Sequence, residues 1–574
     1  MTDQTGLTVE AWLEVGQVRA EAVQTAVAEW TFAEQMSGFT SYDAGDTDGL
    51  PTQGFFGAVY ADGHVYYAPQ CNNLGRHGNA LRHSTSKSFH DAAAWEAFDA
   101  GSIGGLATRG YYGCLADDRY VYYVPRTDGE NLHSRVLRFD RQASFASQDS
   151  WSAFDEGEPI SSQGGAFDGR CLYFAPGYHK DTGPSGSILR HDTTAAFDEA
   201  SSWARFDAAA LIDDRCRCYD GAVYDGRYVY FVPLEGGNVL RFDTSGDFSD
   251  PRDWESFDRR SLHGADANGA NVGAIFDGRY VYLTPYAHST VVRYDTTTSF
   301  SDSSSWSTFD AASTSGLDCR GYDGAAFDGR FVYFIPFWRG GDAKDGFHAQ
   351  LLRFDTLRSF DDPAAWLAAD GAAAAPPNPG GFNGGAFDGR HLYMAPWRQD
   401  EPTGDIYAHG HVLRYDTAGT DARYQLRWMD CGHNGGLGGS LPGPAFVLNV
   451  GDVAVSLQAH VLPAAGRHHL AGVVRGNMAE LWLDGTCVAT RPLPGGVAPA
   501  TARATIGELA GGASPLQGQV LQHRVSDTAM SHQWLQNAAI LLDDEDALRG
   551  LAGSFAKAVQ VNSPRPGRRL RRGQ

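Results

Sequence analysis

Alternation of apolar and polar residues governs most of this chain. In GAAFDGRFVYFIP (324–336) a run rich in Gly and Ala meets Asp-Gly, and alternating aromatic and aliphatic residues follow up to a proline. Period-two alternation predicts half-buried β-strands, and Asp-Gly between two such runs predicts a hairpin whose turn residues take positive φ. The second strand recurs as YVYYVP (120–125), CLYFAP (171–176), YVYFVP (228–233), YVYLTP (280–285) and HLYMAP (391–396). Aligned on the turn aspartate, the copies fall at Asp62, Asp117, Asp168, Asp225, Asp277, Asp328 and Asp388, which are 51 to 60 residues apart.

Each copy continues alike. After a loop of variable length a third strand ends in Arg-aromatic-Asp, as at Arg138-Phe139-Asp140 and Arg353-Phe354-Asp355, with a degenerate first copy at Arg82-His83-Ser84. A fourth strand runs from Trp95 to Asp99, Trp151 to Asp155, Trp203 to Asp207, Trp254 to Asp258 and Trp306 to Asp310; the sixth copy keeps Trp366 and Asp370 without the Phe. Four strands per unit of about 50 residues is the signature of a β-propeller blade, whose sheet buries its faces only against neighbouring blades. The small residues of the first strand suit the crowded axis. The seventh copy has no fourth strand after Asp416, while Phe39-Thr40-Ser41-Tyr42-Asp43 precedes the first hairpin. This early segment is expected to close the ring as the outer strand of the last blade.

Beyond about residue 420 the repeat stops. GRHHLAGVVRGNMAELWLDGTCVAT (466–490) and LQGQVLQHRVSDTAMS (516–531) resemble the laminin G-like, concanavalin-type jelly roll through His468, His469, Trp482, Asp484 and Gly485, with Arg467 where the family usually has Trp. LTVEAWLEV (7–15) and QTAVAEWTF (24–32) look like opening strands of the same family, and Leu7, Val9, Ala11, Leu13 and Val15 alternate as a half-buried strand does. The expected fold class is therefore all-β. A seven-bladed β-propeller (37–419) interrupts a discontinuous concanavalin-like β-sandwich (1–36 and 420–545), and a short helix with a basic tail follows (546–574).

Charge narrows the partners. With 46 basic and 69 acidic residues the formal net charge is −23, which disfavours general affinity for nucleic acid or anionic membrane. The exception is the end of the chain, Arg565, Arg568, Arg569, Arg571 and Arg572, read as a solvated tail. No apolar run reaches the roughly 20 residues of a membrane span, and the first residues lack a basic head and apolar signal segment. The expected location is cytoplasmic, or outside by release without a cleaved signal peptide. Eight scattered cysteines without a CxxC suggest neither a zinc framework nor a disulfide scaffold.

Candidate chemistry lies in the loops of one propeller face. Loops entering the first strands carry Arg109, Arg217 and Arg320 with Tyr111, Tyr219 and Tyr322, and Asp220 and Asp323 beside them. Guanidinium groups there suit carboxylates or sugar hydroxyls; equally, Arg and Asp could pair and hold the ring. Loops after the prolines carry Tyr178-His179, Tyr286, Phe337-Trp338-Arg339 and Trp397-Arg398. Aromatics beside hydrogen-bonding groups are what a saccharide or peptide surface needs, and also what loop packing produces. Asp302 before Trp306 reads as a turn cap, and His409-Gly410-His411 has no third metal ligand in view. GxSxG, HExxH and phosphate-loop motifs are absent, and no catalytic residue or cofactor is evident; calcium enters only through the laminin G resemblance.

Three functions follow as expectations. The first is a non-enzymatic protein that binds glycan or protein through the propeller face and the sandwich, since laminin G-like domains often bind either. The second is a polysaccharide-active propeller hydrolase or lyase with a lectin-like module. The third is a structural or adaptor subunit of a larger assembly.

Overall fold

The computed structural model describes residues 6–15, 24–30, 32–262, 269–340, 346–374, 379–400, 406–419, 422–430, 443–459, 466–495, 505–506, 518–526 and 529–540. Among them, seven antiparallel sheets, each built on four strands, follow one another from the first hairpin to Asp416. Strand order in space follows the chain, as in Tyr111–Ala116, Tyr120–Pro125, Arg135–Asp140 and Trp151–Asp155. Each first strand packs on the first strand of the next sheet, and Phe382–Phe387 packs on Phe55–Ala61, so the set closes into a β-propeller. The last sheet takes its outer strand from Phe39–Asp43, paired with His411–Asp416.

Local chemistry explains the repeat. In the first blade Asp62 and Gly63 have φ of 46° and 78°, as an Asp-Gly turn requires. In blades two to seven the turn moves on by one residue. In the third, the Asp168 N–H donates to the Cys171 carbonyl (3.2 Å), and Gly169 takes φ of 98°. Asp168 then serves as a cap, accepting from the N–H groups of Arg170 and Cys171 and from the Tyr173 hydroxyl (2.7 Å). The turn arginine pairs with the aspartate that ends the third strand, as Arg170 does with Asp192 and Arg279 with Asp295, both at 2.6 Å.

Blades adhere through aromatic contacts. Third-strand arginines lie over rings of the following blade, Arg138 over Phe197 at 4.0 Å and Arg293 over Phe360 at 4.2 Å. The fourth-strand Phe stacks on the Trp of the next blade, as Phe206 does on Trp254 at 4.3 Å. Each such Trp is oriented by its indole N–H, which donates to the carbonyl of a Phe six residues earlier (Trp254 to Phe248, 3.0 Å).

Outside the ring, strands from both ends of the chain pair. Gly6–Val15 lies between Gly466–Arg475 and Gly518–Ser526, and Gln24–Glu29 between Tyr424–Asp430 and Thr505–Ile506. Leu7, Val9, Ala11, Leu13 and Val15 enter a core with Leu426, Phe446, Val455 and Leu470. Asp484 and Gly485 form a positive-φ turn, and Asp484 accepts from the His469 N–H at 2.8 Å. A helix, His532–Ile540, covers Trp12, whose indole N–H donates to the Ala538 carbonyl at 3.2 Å. LLDDEDALRG and the basic tail lie outside the described residues.

Candidate functional site at the channel mouth

Thirteen residues before the strand-ending proline of each blade stands one residue of an inner ring: Phe56, Tyr112, Gln163, Asp220, Val272, Asp323 and Asn383. The residue after each is glycine with φ between 63° and 93°, from Gly57 to Gly384. Strand register breaks at this glycine, a bulge that turns the preceding side chain toward the axis. Tyr112 reaches Asp220 two blades away, which only a path across the channel allows.

Two carboxyls dominate this ring. Asp220 Oδ2 accepts from the Tyr112 hydroxyl (2.7 Å) and the Gln163 amide (2.6 Å), and Asp323 Oδ2 accepts from the Asn383 amide (2.5 Å). Both aspartates are 1% exposed. Asp220 Oδ1, Asp323 Oδ1, Gln163 Oε1 and Asn383 Oδ1 have no partner, leaving four buried acceptors around one channel. Burial pushes both carboxyls above the ordinary carboxylate range. The Asp220 charge pushes Asp323 further, while Arg126 pulls both back. They titrate as a pair that resists double ionisation.

An aromatic tier lies above. The residues that follow the prolines are Gln70, Arg126, Gly177, Leu234, Tyr286, Phe337 and Trp397. Trp397 and Phe337 are buried and Tyr286 and Trp338 partly so, in one cluster with Phe56 and Tyr112. Phe56 and Trp397 centroids are 4.1 Å apart, and Tyr286 stacks on Phe337 at 6.0 Å.

Three arginines complete the mouth. Arg126 lies 4.6 Å over Tyr112 and 5.4 Å over Phe56, and Arg398 lies 4.5 Å over Trp397. Arg76 stands with them: burial holds its pKa below the usual range, Cys71 opposes this, and the charges of Arg126 and Arg398 lower it further. Arg76 Nη1 is buried without a partner, and Arg398 donates to Cys71 Sγ at 3.7 Å. Among the described residues no carboxylate pairs with any of the three.

The residues singled out from sequence divide. Arg320 pairs with Asp318 (2.7 Å), Arg217 with Asp214, and Arg109 donates to the Gly101 carbonyl (3.3 Å). Each is satisfied within its own loop. Asp220 and Asp323 are therefore not the partners of these arginines; they face the axis. Tyr111, Tyr219 and Tyr322 are buried inside blades and present no surface to the mouth. Tyr178 donates to Glu235 Oε1 at 2.5 Å. Tyr286, Trp338 and Trp397 do meet in the tier. His409 is buried and bonded to the Gly380 carbonyl at 3.0 Å, and His133 and His348 brace their loops alike, on the Arg109 and Gly321 carbonyls. Asp302 caps its turn by accepting from the Ser304 N–H at 2.9 Å. Sequence reading passed over Arg76, Arg126, Gln163 and Asn383; counting back from each proline, or one residue on, finds the last three.

Residues 412–536 match the concanavalin A-like lectin/glucanases superfamily. The match begins inside the last propeller strand and omits Gly6–Val15, which pairs in the same sheet. Curated proteins give no match. Similar solved structures include a putative 6-phosphogluconolactonase from Bacteroides fragilis (11% identity, TM-score 0.38, 62% of this chain and 97% of that one). Another is a fungal alcohol oxidase in complex with copper (8%, 0.44, 77% and 96%), and a third the periplasmic gluconolactonase of Pseudomonas aeruginosa (15%, 0.38, 61% and 96%). Among the described residues no three His, Cys, Asp or Glu side chains cluster to hold a metal.

Proposed function

We propose that this is a recognition protein that binds glycan at the propeller mouth, with a lectin-like sandwich, into which a seven-bladed ring is inserted, as its second surface. One observation carries the reading: guanidinium groups with no carboxylate partner among the described residues lie on an aromatic tier above buried acceptor oxygens. Aromatic faces take the apolar face of a sugar ring, and donors and acceptors at their edge take its hydroxyls. The test is glycan-array binding of the intact chain with and without Trp338→Ala and Trp397→Ala. Binding that vanishes in both, with melting of the Trp338 variant unchanged, supports the reading; binding untouched by either overturns it.

The coupled pair Asp220 and Asp323 favours a second reading, an enzyme acting on polysaccharide through one protonated and one ionised carboxyl. Turnover of a polysaccharide that disappears in Asp220→Asn and Asp323→Asn, with binding retained, would replace the first reading with this one.

A further inference from the structure

We infer that the rim of Arg76, Arg126 and Arg398 is an oxyanion site, and that the saccharide taken at the mouth carries an acidic group, a carboxylate or a sulfate ester. This rests on the glycan reading above.

Local charge is the first argument. In a chain with 69 acidic and 46 basic residues, three arginines gather at the mouth with no carboxylate partner among the described residues. Elsewhere at this face Arg217, Arg320 and Arg339 pair with neighbouring aspartates, and Arg109 donates to the Gly101 carbonyl. The rim arginines hold together against mutual repulsion, felt at Arg76. Bringing like charges together on desolvating surface is unfavourable unless an anion joins them.

Donor geometry is the second. Arg126 and Arg398 lie over Tyr112, Phe56 and Trp397, and apart from the Arg398 contact to Cys71 Sγ their guanidinium edges meet no carboxylate among the described residues. Edge-on guanidinium groups bind carboxylate or sulfate through paired N–H donors, and a stacked guanidinium loses little freedom when it does so. Burial and mutual repulsion disfavour ionising both acids below together, so they offset the rim charge, felt at Arg126, only in part. A sugar ring lying on the tier would place its acidic substituent at the rim and its hydroxyls toward the unpartnered oxygens of Asp220, Asp323, Gln163 and Asn383.

The experiment is calorimetric titration of the full chain with trigalacturonate, its methyl ester and a sulfated oligosaccharide. The uronate, or the sulfate, should bind at least about tenfold tighter than the neutral ester. That preference should disappear in the Arg126→Gln, Arg398→Gln double variant and survive in part in Arg126→Lys, with unchanged melting as the folding control. Which of the two acids is preferred assigns the oxyanion. Equal affinity for the neutral ester, or a preference that survives the double variant, overturns the inference and leaves glycan recognition standing. If no saccharide binds, or only an acidic peptide does with the same arginine dependence, the glycan reading itself falls.

Discussion

Tyr42 lies flat on Trp95, with ring centroids 4.9 Å apart and planes 9° from parallel. The same stack joins Phe206 to Trp254, Phe257 to Trp306 and Phe309 to Trp366. Tyr42 belongs to the first ordered propeller strand in the chain, yet it fills the position of the fourth-strand Phe in the last blade. It therefore joins the last blade to the first with the contact that joins five other pairs of neighbouring blades. The sixth blade has Ala369 at that position, and the outer strand of the seventh begins with Phe39 where the others have Trp, so loss of one partner accompanies loss of the other.

Tyr42→Ala should thus weaken the ring at its seam. Removing a half-exposed stacked ring is expected to cost about 2 kcal/mol, less than truncation of a fully buried aromatic. Tyr42→Phe keeps the stack and should cost little. Denaturant midpoints of the three proteins measure this, and an alanine variant as stable as the parent would contradict the seam.

Much of this architecture is legible because it repeats. Pro, Asp-Gly and Trp at fixed spacing mark the strands, and Phe39-Thr40-Ser41-Tyr42-Asp43 is recognisable as the missing strand by its similarity to WSAFD (151–155). The mouth is less legible for the opposite reason. Its ring positions hold Phe, Tyr, Gln, Asp, Val, Asp and Asn, one identity per blade and little likeness among them. Whether an arginine is paired is decided by its neighbours in space: Arg320 finds Asp318 two residues away, whereas Arg126 meets only rings contributed by its own and the first blade. Turn register differs by one residue from what Asp-Gly alone predicts, because Asp as a cap and Asp as a turn residue leave the same dipeptide.

Glycine at 321 is required by space as well as by φ. Gly54, Gly110, Gly321 and Gly381 precede the first strands with φ of 68° to 78°, and Cys218 holds the corresponding place at 54°. A Cβ at 321 would run into the Trp338 carbonyl. Gly321→Ala should therefore cost about 3 kcal/mol or more and displace Trp338, seen as a change in indole emission. Cys218→Ala, which keeps a Cβ where one is already accommodated, should cost far less.

The buried acid pair should leave a pH signature. Folding raises the pKa of Asp220 and Asp323 above the unfolded carboxylate values, chiefly by burial. The sign follows: their stability contribution is present below the unfolded values and is lost as pH rises through the folded ones. The propeller melting temperature should fall as pH rises from about 4 through the raised Asp220 value of about 7 in the parent, and fall less in Asp220→Asn. Arg126→Gln, which removes a charge that favours ionisation, should shift the fall to higher pH. Scanning calorimetry across pH measures all three, and parallel curves would show that the pair is not coupled.

Sandwich and propeller share an apolar seam, with Trp30 and Val447 in one buried cluster with Phe331, Tyr333 and Leu392, and the polar contacts beside it can be tested singly. Arg491 of the sandwich pairs with Asp62 at the first-blade turn, where Arg141 also approaches Asp62 at 3.8 Å. The Tyr60 hydroxyl donates to the Ser456 carbonyl at 3.4 Å, and Ser88 to Asp452 at 2.9 Å. Asp62 is well exposed, so solvent screens the Arg491 pair and Arg491→Ala should cost only about 1 kcal/mol. Its larger effect should be local, since Arg491 packs across Gly63 and its loss uncovers that turn. Hydrogen exchange should quicken at residues 60–63 and 453–458 while the inner strands stay protected. Uniform quickening across the blades would mean instead that the contact supports the whole ring.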